Sequence, residues 1–151
     1  MTSTDAYTLR CAACGTRNRI PAAKIGAAAR CGRCGGRIDT RVLGDGRPRM
    51  VSDANFEAEV IRSPLPTLVF FWAPWCPTCL KTAPLIDRLA GEARGRLRVA
   101  KVNVDKAQRV SERYDIRAVP YIYVFDNGQA VANMPGAMDA AQLKYQLARF
   151  L

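Results

Sequence analysis

Six cysteines and no histidine constrain this 151-residue chain more than any other feature. Four of the six stand as Cys11-Ala-Ala-Cys14 and Cys31-Gly-Arg-Cys34, two C-x2-C pairs separated by sixteen residues. Two residues between cysteines let one tight turn aim both sulfurs at a single ion, and two such turns complete a tetrahedron. Gly15 and Gly32 or Gly35 supply the backbone freedom that these turns need. The spacing predicts a four-thiolate zinc site on Cys11, Cys14, Cys31 and Cys34, closed to further ligands and therefore structural. Two disulfides, iron in place of zinc, and unliganded thiols are the alternatives. A segment of about forty residues has too little core to fold alone, so metal binding would supply its folding energy.

The absence of histidine excludes Ser-His-Asp and Cys-His catalysis and any His-ligated metal. Cysteine is left as the leading group for chemistry near neutral pH. The start, "MTSTDAYTLRCAACG", lacks the apolar run of a secretory signal, and no window reaches the length of a membrane span. The expectation is a reducing cytoplasm and no membrane partner. There, closely spaced cysteines mean metal binding or redox catalysis more often than structural disulfides. Residues 1–49 hold ten Lys and Arg against three Asp and Glu, so they carry +7 of the net +10. This hints at an anionic partner for the first third; a solvated basic face is the plainer reading. Nucleic acid is not expected as a partner, because Tyr7 is the only aromatic residue before Phe56.

The chain divides by composition. Residues 1–43 form the cysteine-rich module, residues 44–49, with Gly44, Gly46 and Pro48, read as a linker, and residues 50–151 carry the apolar periodicity of a domain. In that domain "SDANFEAEVIRS" reads as a helix capped by Ser52 or Asp53, and "PTLVFFWA" as a strand covered on both faces. "CLKTAPLIDRLAGEARG" reads as a helix kinked at Pro84 and ended at Gly91 or Gly95. "RLRVAKVNVD" reads as a strand and "AQRVSERYD" as a short helix. "YIYVFDNGQAVANM" is a hairpin turned at Asp126-Asn127-Gly128, and "MDAAQLKYQLARFL" a closing helix. The order predicts an α/β fold: a central mixed sheet flanked by helices.

Cys76-Pro77-Thr78-Cys79 sits between the apolar strand and a helix. Unpaired N–H groups at a helix start stabilise an anion, so a thiolate there is a better nucleophile. One turn on, Cys79 faces the same side. After an apolar strand, this C-x-x-C reads as a redox dithiol. A second metal site would need two further ligands.

At this point a resemblance is plain. "FFWAPWCPTCLKTAP", "VAKVNVD", "YDIRAVPYIYVFDNGQ" and "PGA" resemble the thioredoxin family in order and separation, over residues 50–151. The preceding double knuckle resembles the N-terminal zinc ribbon of the bacterial thioredoxin 2 type. The resemblance implies a thioredoxin fold and a protein-disulfide reductase. Cys76 would be the nucleophile and Cys79 the resolving thiol, closing a redox-active Cys76–Cys79 disulfide, with protein disulfides as substrates and an NADPH- and FAD-dependent thioredoxin reductase as electron donor. It implies a cis-proline at Pro120, which would bring Val119 beside Cys76 to pair with an extended substrate segment. Trp75 and Gly136 would complete that groove. A more oxidising or glutathione-linked oxidoreductase is one alternative. Another, of a different class, is a zinc-ribbon adaptor using the domain as a platform.

Two departures from the family's pattern concern tuning. Pro77-Thr78 stands where Gly-Pro is usual; proline suits the first helical turn, and a Thr78 hydroxyl donating to Cys76 would make the protein a weaker reductant. Phe70 replaces the family's buried aspartate, so no carboxylate takes the proton of Cys79, and Lys101 loses its usual neighbour. Tyr121, after Pro120, is expected to narrow the groove.

Overall fold

The run Thr67–Trp72 places alternate side chains on opposite faces of a sheet, and both faces are apolar. Leu68 and Phe70 enter one core cluster, and Val69 and Phe71 the other. Such a strand must be covered on both sides, and it stands at the centre of the sheet. The computed structural model describes residues 6–43 and 46–151; Gly44 of the expected linker lies outside the described residues.

The N-terminal module is two small antiparallel hairpins, β1 (Ala6–Arg10) with β2 (Arg17–Pro21), and β3 (Ala29–Arg30) with β4 (Arg37–Ile38). The domain has a five-stranded sheet built from β5 (Arg49–Val51), β6 (Thr67–Trp72), β7 (Arg98–Asn103), β8 (Tyr121–Asp126) and β9 (Gln129–Pro135). Its order is β5-β7-β6-β8-β9. The first three are parallel, and β8 and β9 run antiparallel. The expected mixed sheet is present. Asn127 and Gly128 both take positive φ, 53° and 79°, the backbone a two-residue hairpin turn demands.

One face carries α1 (Pro77–Glu92) and α3 (Ala140–Gln146), packed through Ile86, Leu89, Leu143 and Leu147. On the other lie α2 (Gln108–Arg113) and a single π-helical turn, Glu57–Ile61, which bury Val110, Phe56 and Val60 around Phe71 and Phe125. An Asp139/Gln142 capping box starts α3. The helix at Pro84 continues to Glu92, past Gly91, with Ala93 as its cap.

Two local readings change. The helix expected over 52–63 narrows to the one wide turn. Asp53 does not cap it; its carboxylate accepts the N–H of Arg109 (3.3 Å) and Val110 (2.9 Å), the orphan donors of α2. Arg49, expected as the last linker residue, already pairs with Ala100 in the sheet.

The cysteine module is seated against the domain. Leu65, just before β6, joins Leu9, Ile20 and Ile38 in the module's own apolar cluster. The Arg10 N–H donates to Pro64 O at 2.7 Å, and the Arg10 guanidinium pairs with Asp126 at 3.0 Å. Contact at the start of β6 and at the β8–β9 turn puts the module at one pole of the sheet. The dithiol lies beyond the end of β6, at the other pole.

Candidate dithiol site and four-cysteine centre

Cys76 is the N-cap residue of α1, and Pro77 fills the first helical position, where a missing N–H costs nothing. The Cys79 N–H donates to Cys76 Sγ at 3.1 Å. That donor sits where the helix start concentrates positive potential. Cys76 Sγ also lies 3.7 Å from Val119 O, and the Val119–Pro120 peptide is cis. Both cysteines are buried. Burial, and then the neighbouring Cys76 thiol, push the Cys79 pKa up to about 11. One cysteine is thus hydrogen-bonded as a nucleophile would be, and the other is held protonated at neutral pH.

The expected groove residues gather around this pair. Val119 and Pro120 are half-buried, and the Gly136 N–H donates to Pro120 O at 3.1 Å. A Cβ on Gly136 would stand 2.8 Å from Pro120 Cβ, so the close approach requires glycine. Trp75 is 67% exposed, and its indole N–H donates to Asp105 (3.1 Å to Oδ2). Asp105 was not legible as a site residue. It is thirty positions away, and only the β7-to-α2 turn brings it to Trp75.

The tuning residues divide. Thr78 is exposed, and among the described residues its hydroxyl makes no hydrogen bond to Cys76; its carbonyl accepts from Thr82 at 2.9 Å. The expected donor to Cys76 is therefore the Cys79 amide instead. Phe70 is 1% exposed and packs in the same apolar cluster as Cys76 and Cys79. Its strand neighbour Lys101 pairs with Asp87 of α1 at 2.6 Å. Tyr121 donates its hydroxyl to Asn133 at 3.0 Å.

At the other pole, two matching turns present the remaining cysteines. Gly15 N–H donates to Cys11 O at 2.8 Å and Gly35 N–H to Cys31 O at 2.9 Å, both glycines at positive φ. Gly32 is not in that conformation. Gly36 matters where the sequence did not flag it: a Cβ there would lie 3.2 Å from Cys34 Sγ and 3.4 Å from Cys11 Sγ. The Cys11 and Cys34 sulfurs are 3.5 Å apart, those of Cys14 and Cys31 3.6 Å, and all four lie within 4.8 Å. A tetrahedron with ~2.3 Å zinc–sulfur bonds has edges of about 3.8 Å, whereas a disulfide needs about 2.05 Å. The N–H groups of Cys34 and Arg33 pull the Cys31 thiol down to about 6. Cys34 receives the Gly36 N–H, which lowers its pKa, yet its neighbours Cys11 and Cys14 push it up to about 11. Four crowded thiols that resist ionising together are what a divalent cation neutralises, so the donor set fits a metal.

Comparison with known proteins agrees with this geometry. The family model described as Thioredoxin matches residues 47–149, and that described as Thioredoxin 2, N-terminal matches residues 10–36. A thioredoxin of Haemophilus influenzae is 41% identical over 93 residues, 62% of this chain and 87% of that protein. Thioredoxin 1 of a Nostoc species is 40% identical over 101 residues, 67% of this chain and 94% of that protein. A thioredoxin of Acidithiobacillus ferridurans is 43% identical over 93 residues, 62% and 86% of the two chains.

Proposed function

The chain belongs to the thioredoxin family and is a thiol–disulfide oxidoreductase with a four-cysteine module, and we propose that it reduces protein disulfides through Cys76 and Cys79. The Cys76 thiolate attacks one sulfur of a substrate disulfide. The new Cys76–S bond forms as the substrate S–S bond breaks, and the other substrate sulfur leaves as a thiolate. Cys79 then gives up its proton and attacks Cys76, releasing the second substrate thiolate. Two electrons pass to the substrate, and a Cys76–Cys79 disulfide remains. An NADPH- and FAD-dependent thioredoxin reductase is the proposed donor that restores the dithiol. The observation that carries this reading is the placement of Cys76 Sγ, 3.1 Å from the Cys79 amide and 3.7 Å from Val119 O.

Val119 and Pro120 would pair an extended substrate segment edge to edge, with Trp75 and Gly136 walling the groove. Zinc is the proposed metal on Cys11, Cys14, Cys31 and Cys34. When bound, it neutralises the four thiolates and locks the two turns together. A reducing compartment, the cytoplasm, is the proposed setting, since these thiols must stay reduced to hold it. Among the described residues no helix is long and apolar enough to cross a membrane.

The test is reduction of a protein disulfide such as insulin, driven by thioredoxin reductase and NADPH, with zinc content measured in parallel. Wild type should turn over and Cys76→Ser should not, both with about one zinc per chain. Turnover with glutathione but not with the reductase would overturn the assignment in favour of a glutathione-linked oxidoreductase.

A further inference from the structure

The seam between the four-cysteine module and the domain forms an open cavity of about 670 Å³. Its walls come from both parts: Ala6, Thr8, Arg10 and Arg17 from the β1–β2 hairpin, and Pro64, Arg94, Arg96 and Asp126 from the domain. Arg10, Arg17 and Arg96 thus line one space with a single described carboxylate, Asp126. Neither part alone makes this cavity.

The hairpin register makes the charge pointed. Arg10 and Arg17 stand directly opposite each other in the β1–β2 ladder, so their side chains leave the same face. Like charges in that relation repel. Arg10 is compensated: its Nε bonds Asp126 Oδ1 at 3.0 Å and its Nη1 bonds Gly15 O at 2.9 Å. Arg17 has no ion pair or hydrogen bond among the described residues. Across the cavity, the backbone oxygens of Glu92 and Leu151, each 3.0 Å away, clamp the Arg96 guanidinium. Arg10 and Arg96 are therefore pre-oriented, which lowers the entropy lost when an anion binds. Of the ten Lys and Arg of residues 1–49, Arg10 and Arg17 line this space.

We propose that this cavity is a binding site for a small polyphosphate, two or three linked phosphate groups gripped between Arg10 and Arg17 on one wall and Arg96 on the other. Planar guanidinium forks match phosphate oxygens in pairs, and linked phosphates reach both walls at once, as a single phosphate does not. The volume suits a nucleotide or a free oligophosphate. The site lies at the pole opposite Cys76. Occupancy would pin the module to the domain without touching the dithiol.

Titration calorimetry on the full, metal-loaded chain at physiological salt tests this with tripolyphosphate, ATP and orthophosphate as probes. Saturable one-to-one binding of tripolyphosphate, at least tenfold tighter than orthophosphate, is expected. Arg17→Gln and Arg96→Gln should each weaken it about tenfold, the loss of one charge-assisted contact. Arg88→Gln, which removes the same charge from the exposed face of α1, should leave it within about twofold. ATP binding as tightly as tripolyphosphate assigns recognition to the phosphates, and tighter ATP binding assigns it to a nucleotide; both support the site. Zinc content and insulin reduction should be unchanged in all three variants, which separates loss of the site from loss of the fold. No saturable binding at millimolar tripolyphosphate, or equal weakening by Arg88→Gln, overturns the proposal.

Discussion

At the scale of single residues, the proposed cycle would close at a rate set by Phe70 and Cys79. Both lie in one apolar cluster, and burial holds the Cys79 thiol up to about 11. No carboxylate stands at position 70 to take its proton. Below that pKa, the reactive thiolate fraction rises about tenfold per pH unit. Release of a mixed disulfide trapped on Cys76 should therefore accelerate about tenfold per unit between pH 7 and 9. Phe70→Asp should raise the rate at pH 7 and flatten the profile. The measurement is single-turnover release of a chromogenic thiol, and equal profiles for the two proteins would refute the role given to Phe70. The variant should also lose stability, because it swaps a core ring worth about 3–5 kcal/mol for a buried acid. The Cys79 shift has its own sign for folding. The folded state holds this proton more tightly than the unfolded chain, so the reduced protein is fully stabilised below about pH 8.5 and loses stability as pH climbs from there toward 11.

At the scale of elements, legibility followed the distance over which a signal acts. The strands β6 to β9 were readable because an apolar run, an alternation and an Asn-Gly turn are local patterns. The cysteine turns and the dithiol were readable for the same reason. β5 was not: three residues with one buried side chain leave no period to detect. Asp53 shows the limit most clearly. Its chemistry as a cap was evident, but which helix it caps depends on the fold, and it serves α2 more than fifty positions away. The Trp75–Asp105 bond and the approach of Gly36 to two sulfurs are hidden in the same way. Because α2 has only six helical residues and an uncapped Ala107 at its start, it leans on that carboxylate. Asp53→Ala should cost about 1 kcal/mol, within the range for a lost helix cap. The urea midpoint should fall with no change in slope, and the amides of Arg109 and Val110 should exchange faster. Protection of those two amides at the wild-type level would show that the cap contributes nothing.

At the scale of the whole molecule, the dithiol and the four-cysteine cluster occupy opposite ends of one sheet. β6 starts beside Leu65, which belongs to the four-cysteine module's apolar cluster, and ends at Trp72, four residues before Cys76. Its six residues separate the poles by roughly 17–20 Å. The module cannot fill its own core: Leu9, Ile20 and Ile38 close only around a side chain lent by the domain. Tyr7 adds to the join, because its ring lies where a Cβ on Gly95 would stand, 2.6 Å from the nearest ring carbon. Affinity for the proposed zinc and docking would then be linked, since each would stabilise the same folded module. Leu65 is 4% exposed, and Leu65→Ala should remove about 2–4 kcal/mol from the seam. Part of that loss should appear as weaker zinc retention, measured by competition with a chromogenic chelator, by a factor of ten or more. Leu68→Ala supplies the comparison, because Leu68 is equally buried but belongs to the core cluster around Cys79. It should lower global stability and leave zinc retention near wild type. If the two variants lose zinc at the same rate, the module's metal reports only global unfolding, and the side chain lent by Leu65 has no special hold on it.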